Sequence, residues 1–302
     1  MGRVQFRARA QPPEGSRARS SSVDAMSDTI SVPSRADTTF VPRRAIVTAS
    51  DSGIGRATAV ALAAAGSDVG ITWHSDEQGA LDTAEEVRGH GVKAFVARLD
   101  TTDIPACGDV VDSLAEQLGG LDVFVNNAGK GTATPLLELG YDEWNDIVTT
   151  DLGGAFVCIQ RAARRMVEQA TGGRIIAVSS VHEHQPRVGS AAYDAAKHGL
   201  GGLVKTAALE FAPYGITVNT VAPGEIATPM TGQTDVDPHE VERPGIPMGR
   251  PGDAREIASV VAFLASPGSS YVTGTSIVVD GGMLQMGPQA GSHMTSNDWR
   301  SA

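Results

Sequence analysis

The sequence predicts one α/β domain, a doubly wound parallel sheet of about seven strands with helices on both faces. Three observations predict it. Short apolar runs alternate with helix-patterned segments over residues 43–284, the order of successive βαβ units. The first run passes directly into a turn with two glycines and then into a helix. Distinctive polar and small residues recur at the carboxyl ends of the strands, the rim at which such sheets bind ligands.

Arg43–Thr48 reads as a short buried strand, followed by the turn Ala49-Ser50-Asp51-Ser52-Gly53-Ile54-Gly55 and a helix over Arg56–Ala65. A second strand, Asp68–Trp73, leads into His74-Ser75-Asp76 and a helix through Arg88. Lys93–Leu99 is a third strand, ending at Asp100, and Ile104–Leu118 is a helix stopped by Gly119-Gly120. Asp122–Val125 is a fourth strand ending in Asn126-Asn127-Ala128-Gly129. A long helix is expected over Tyr141–Gln169, a fifth strand over Arg174–Ser179, and a helix from Ala191 to Phe211 or Tyr214. Ile216–Val221 is a sixth strand, closed by Ala222-Pro223-Gly224. Residues 225–252, rich in Pro and Gly, read as a long loop; Ala254–Leu264 is an amphipathic helix and Ser276–Val279 the last strand.

Composition narrows the function. Of 302 residues, 41% are hydrophobic, enough for a substantial core. A formal net charge of −11 argues against nucleic acid or an anionic membrane surface as partner. No apolar run approaches the roughly 18 residues of a membrane span. Cys107 and Cys158 lack Cys-x-x-Cys spacing and read as buried, reduced thiols of a cytoplasmic protein. Residues 1–42 are rich in Arg, Ser and Pro without apolar period; a disordered arm, a transit-type peptide and a start at Met26 are all open readings. The tail over 285–302 also lacks period.

The stretch from Ser180 to Lys197 carries the chemistry. Tyr193 and Lys197 stand four apart in an Ala-rich helical segment and share one helix face. An ammonium beside a phenol favours the phenolate, so such a tyrosine exchanges protons near neutral pH. Ser180, at the end of the fifth strand, can aim a hydroxyl at the same oxygen. The Tyr–Lys spacing alone is common, and the other rim residues decide. The turn at 49–55 suits a dinucleotide pyrophosphate, because glycines let the backbone approach and the helix N-terminus offers free N–H groups.

In combination, the Thr48–Gly55 turn, Asn126-Asn127-Ala128-Gly129, Ser180 with Tyr193-x-x-x-Lys197, and Pro223-Gly224-x-x-x-Thr228 resemble the short-chain dehydrogenases/reductases over about residues 44–284. Within that family the chain is similar to a bacterial carbonyl-reducing branch. The resemblance implies a Rossmann-fold enzyme that passes hydride between a nicotinamide cofactor and a carbonyl or secondary alcohol. It implies Tyr193 as general acid and base, Lys197 as the residue that tunes it and bonds the nicotinamide ribose, and Ser180 as holder of the substrate oxygen. It implies cofactor contacts from Ser50, Ser52, Gly53, Ile54 and Gly55 around the phosphates and from Asp100 near the adenine. Asn126, Ala128 and Gly129 then line the cofactor's path, and Pro223, Gly224, Ile226 and Thr228 lie near the carboxamide. Relatives pair the helices over 141–169 and 191–214, so a homotetramer or homodimer is expected.

Two positions depart from the family. Ala49 replaces the first motif glycine, tolerable at negative φ but narrowing the adenosine side. Asp151 replaces the asparagine of the catalytic tetrad and, if near Lys197, should hold the lysine protonated. At the end of the second strand no carboxylate repels a 2′-phosphate, while His74 and Ser75 can contact one; NADP(H) is therefore favoured over NAD(H), with Asp76 opposing. His182-Glu183-His184 lacks a third ligand, so no metal is expected and His182 is assigned to the substrate pocket. The 225–252 loop reads as a lid that brings Met230 and Met248 to substrate. The resulting reading is an NAD(P)-dependent oxidoreductase acting on a small carbonyl or alcohol. The alternatives are a 3-oxoacyl-thioester reductase, which the acidic composition disfavours, a glucose-type sugar dehydrogenase, and a non-catalytic nicotinamide-sensing regulator.

Overall fold

The computed structural model describes residues 40–234 and 236–287. The arm over 1–42 thus lies outside the described residues apart from Phe40–Pro42, as does most of the tail. Seven parallel strands form one sheet: β1 (Arg44–Val47), β2 (Asp68–Trp73), β3 (Ala94–Arg98), β4 (Val123–Asn126), β5 (Gly173–Val178), β6 (Ile216–Pro223) and, last in the chain, β9 (Ser276–Val279). Their order is β3-β2-β1-β4-β5-β6-β9. The chain winds outward from β1 to β3, then returns to β4 on the other side of β1. A crevice opens at that reversal, beyond the carboxyl ends of β1 and β4.

The helices are α1 (Gly53–Ala64), α2 (Glu77–Gly89), α3 (Ile104–Leu118), α4 (Tyr141–Val148), α5 (Gly154–Gln169), α6 (Ala191–Phe211) and α7 (Ala254–Ala265). Two apolar layers cover the sheet. Phe124 and Ile175 face Val111, Cys158 and Val204 of α3, α5 and α6; Val123, Val125 and Ile176 face Leu62, Val87 and Val261 of α1, α2 and α7. Successive residues of β4 enter opposite layers, as the two-residue period of a strand requires. Cys107 and Cys158 are free and buried in the first layer.

The expected helix over 141–169 is continuous but not uniform. Between α4 and α5, Thr149–Gly153 make a turn of π-helix, which carries Asp151 to a fully buried position. Such turns insert one extra residue and are frequent at functional sites. Within the expected long loop, β7 (Ile226–Ala227) pairs with β8 (Gly252–Asp253) and closes its base. Arg243 Nε donates to Glu225 at 2.6 Å, and Arg250 forks onto Glu256 of α7 at 2.7 and 3.0 Å. Among the described residues no helix is long and apolar enough to cross a membrane.

Candidate active site

β1 delivers the glycine turn to the crevice. Thr48 Oγ1 accepts from the N–H groups of Asn127 and Ala128 at 2.8 and 2.9 Å, joining the ends of β1 and β4. Asn127 Nδ2 donates to the carbonyls of Thr48 and Ala49 at 3.1 and 2.9 Å. Ala49 adopts φ +48°, the left-handed region, so the negative φ that would make alanine harmless is not what the turn uses. Gly53, at φ +52°, opens α1 and faces Thr228 across the crevice: a Cβ on Gly53 would stand 3.3 Å from Thr228 Cγ2. A groove of about 460 Å³ runs between them, lined by Ser52, Gly53 and Ile54, by Ala128 and Gly129, and by Thr228 to Met230.

At one end of this groove, Trp73, His74 and Ser75 meet Asp100, because β3 lies next to β2. His74 Nε2 is 3.4 Å from Asp100 Oδ2. The Asp100 carboxyl is lowered to about 2, first by the Thr102 hydroxyl and N–H and then by His74. Asp51 also lines the groove; burial pushes its carboxyl up, and the charge of Asp76 adds to the rise. Arg98 lies over the Trp73 ring at 6.0 Å and donates to the His74 carbonyl at 3.1 Å.

At the other end the groove reaches Gly129. Asp151 Oδ2 and Lys197 Nζ lie 2.8 and 3.2 Å from where a Gly129 Cβ would stand, and 3.2 Å from each other. Asp151 Oδ1 accepts from Lys130 N at 2.9 Å, and Lys197 Nζ donates to Val178 O at 3.5 Å. Burial works against the lysine's charge, but Asp151, with Tyr193 adding, outweighs it and holds Lys197 above the usual lysine range. Burial likewise pushes the Asp151 carboxyl up, against the pull of Lys197. Lys197 Nζ stands 5.2 Å from the centre of the Tyr193 ring. The His182 ring meets Tyr193 edge-on at 6.0 Å, and its Nδ1 is 2.9 Å from Gln185 O and 3.9 Å from Asp194 Oδ1. Ser180, after β5, accepts from His182 N at 3.2 Å, which leaves its own O–H free to donate.

A family model described as enoyl-(acyl carrier protein) reductase matches residues 48–284. The uncharacterized oxidoreductase YohF of Escherichia coli is 53% identical over 245 residues, 81% of this chain and 97% of its own length. The chain belongs to the short-chain dehydrogenase/reductase family. The 3-oxoacyl-[acyl-carrier-protein] reductase FabG of Staphylococcus aureus is 40% identical over 239 residues, 79% of this chain and 97% of that protein. The crystal structure of acetoin dehydrogenase YohF from Salmonella typhimurium matches with a TM-score of 0.78 at 50% identity, covering 82% of this chain and 98% of that one. As a short-chain dehydrogenase/reductase, the chain is an oxidoreductase that moves hydride between a nicotinamide cofactor and a CH–OH or C=O group.

The structure sorts the expected dehydrogenase residues. Ser52, Gly53, Ile54, His74, Ser75, Asp100, Ala128, Gly129 and Thr228 line the groove. Four others do not line it and are engaged by, or packed within, the protein itself. The Ser50 hydroxyl donates to Val47 O at 2.8 Å and accepts from Thr72 N at 3.1 Å, so it is spent on the scaffold. Gly55 is required by packing, since a Cβ there would lie 2.7 Å from Asn127 Nδ2 and 2.8 Å from Ser50 Cα. Asn126 is buried, and Gly224 packs against Asp280, to which a Cβ would approach within 2.8 Å. Met230 lines the groove, but Met248 sits on the Gly281 turn, bonding Gly281 O at 3.1 Å. Asn127 and Thr48 went unassigned, although the doubled asparagine of the turn was visible. Lys130, whose N–H holds Asp151, carries no sequence signal.

Proposed function

We propose that the enzyme interconverts an α-hydroxyketone such as acetoin with its diketone or vicinal diol, using NAD(H). The observation that carries the substrate reading is His182 standing edge-on to Tyr193 at 6.0 Å. With Nδ1 engaged by Gln185 O, its Nε2 is available to the oxygen next to the reacting one. The acetoin dehydrogenase named above, at 50% identity, supports the same substrate class.

The groove fits a dinucleotide: Gly53 and Ile54 open a helix N-terminus into it, and Gly129 closes it beside Lys197. When bound, the cofactor supplies or accepts the hydride. Ser180 donates to the carbonyl oxygen and Tyr193 delivers the proton to it; two donors aimed at one oxygen stabilise the developing alkoxide. Lys197 places a positive charge beside the Tyr193 ring as the phenol gives up its proton, and Asp151 keeps that lysine charged. Thr228 and Ile226, at the start of the segment over 225–252, hold the carboxamide side, and that segment acts as the lid.

On cofactor choice the charge at the ribose corner supports NAD(H) over the NADP(H) expected from the sequence. His74 lies beside Asp100, Asp51 lines the same groove, and Asp76 adds to the negative field. Against these, Arg98 is turned onto Trp73 and a carbonyl. A 2′-phosphate brings further negative charge into that corner, which supports NAD(H).

Exposed apolar side chains on α5, α6 and α7, among them Phe156, Leu209 and Phe263, support a homodimer or homotetramer. Turnover of acetoin and diacetyl, compared with 2-butanone and 2-butanol, tests the substrate reading. A preference for the oxygen-poor pair, or a preference for acetoin and diacetyl that persists unchanged in His182→Ala, overturns it. Faster turnover of a 3-oxoacyl thioester would move the assignment to the activity named for FabG.

A further inference from the structure

One buried carboxylate behind the catalytic helix has no part in the chemistry above. Glu183 closes the single 3-10 turn Val181–Glu183 that follows Ser180, and it is 7% exposed. Its Oε2 accepts from Thr220 Oγ1 at 3.0 Å and from Ser276 Oγ at 3.3 Å. Thr220 and Ser276 are register partners on β6 and β9, so their hydroxyls leave the sheet on one face and converge on that one oxygen. Ser276 Oγ in turn lies 2.9 Å from His184 Nε2 at the surface. The other oxygen, Oε1, has no hydrogen-bond partner among the described residues and rests against Gly201 of α6. A Cβ on Gly201 would lie 2.7 Å from the Glu183 Cδ, so the helix makes room for the carboxylate. Gly201 is one helical turn beyond Lys197.

A buried carboxylate is expensive to desolvate and persists where its surroundings fix it. Here they fix the turn that carries the site: Glu183 N donates to Ser180 O at 2.8 Å, and His182 N to Ser180 Oγ at 3.2 Å. We infer that Glu183 is a positioning residue: by gathering Thr220 and Ser276 on one oxygen it fixes the Ser180–Glu183 turn against β6, β9 and α6, and so sets where the Ser180 hydroxyl and the His182 imidazole stand relative to Tyr193. The consequence for turnover rests on the roles proposed above for Ser180, His182 and Tyr193.

The test uses the full chain with Glu183→Ala, Glu183→Gln and Ser276→Ala. It reads kcat and KM for acetoin, affinity for the nicotinamide cofactor, and the His182 ring resonances, assigned by their loss in His182→Gln. Glu183→Ala is expected to lower kcat/KM about 10- to 100-fold, the scale of loss from misplacing reacting groups by about 1 Å. It should move the His182 resonances and leave cofactor affinity unchanged. Glu183→Gln, which keeps an acceptor for both hydroxyls, should restore most of the turnover. Wild-type kcat/KM and unmoved resonances in Glu183→Ala overturn the inference. So does a cofactor affinity that falls in proportion to turnover, or a glutamine variant as impaired as the alanine one. If Glu183→Ala does not fold, Ser276→Ala decides: a smaller fall in kcat/KM with shifted resonances supports the inference, and wild-type behaviour in both overturns it. Wild-type protein inactive on acetoin removes the proposed substrate, while the resonances still decide the positioning role.

Discussion

The carboxylate of Asp151 and the ammonium of Lys197 lie 3.2 Å apart with both side chains sealed from solvent. Tyr193 faces the same ammonium. In the mechanism proposed above, the carboxylate acts on the reaction through the lysine, whereas the phenol delivers the proton to the reacting oxygen. Asp151→Asn should keep kcat/KM within about tenfold of wild type, and Tyr193→Phe should lose about a thousandfold, within the range for general acid–base catalysis. Steady-state assays of both variants check this; comparable losses would mean that Asp151 is not auxiliary.

Ala49 and Ala170 both occupy the left-handed region, at φ +48° and +55°. An alanine there carries strain of about 1 kcal/mol, which glycine relieves. Ala49→Gly and Ala170→Gly should each raise the urea midpoint. Only Ala49→Gly, in the turn beside the groove, should also tighten cofactor binding in a titration.

Glu256 is held at about 2, below its ordinary 4.5, first by Arg250 and then by the N–H of Asp253. A depressed carboxyl stabilises the fold above its unfolded value, and that contribution is lost as the pH falls through the folded one. Denaturant midpoints should therefore decline between pH 4.5 and about 2. Glu256→Gln should flatten that part of the curve; an unchanged slope would show that the Arg250 pair contributes nothing.

The carboxylates of Asp100 and Asp51, which line the groove with His74, predict a higher kcat/KM with NADH than with NADPH. Asp51→Ser removes one of them and should improve NADPH relative to NADH by about tenfold, or about 1.4 kcal/mol. A wild-type preference for NADPH would restore the reading drawn from the end of β2 alone.

Most of the architecture was legible because it is written in local periods. Helix α3 and strands β2 and β9 fall on the expected bounds, β1 and β3 to β6 differ by a residue or two, and the short β7 and β8 lie in the expected loop. Tyr193 and Lys197 were legible for the same reason, being neighbours on one helix. What escaped depends on strand order and backbone angle. Asp100 reaches His74 because β3 is the outer neighbour of β2, a pairing no window of sequence contains. Glu183 meets partners 37 and 93 positions away. The left-handed angle of Ala49 defies its residue type, and the π turn at Asp151 interrupts a sequence that reads as unbroken helix. The Ser50 hydroxyl bond to Val47 O and the tight packing around Gly55 were not legible either, because their partners are set by the folded turn.

The two-residue pairing of Ile226–Ala227 with Gly252–Asp253 has an evolutionary corollary. A segment stapled at its base can change length inside without disturbing the sheet, since each doubling of a loop adds only about 0.6 kcal/mol of closure entropy. Residues 228–251 are thus an exchangeable cassette. Under the lid role proposed for this segment, grafting its counterpart from a relative between those two strands is a route to altered substrate choice with the helix that carries Tyr193 and Lys197 left in place.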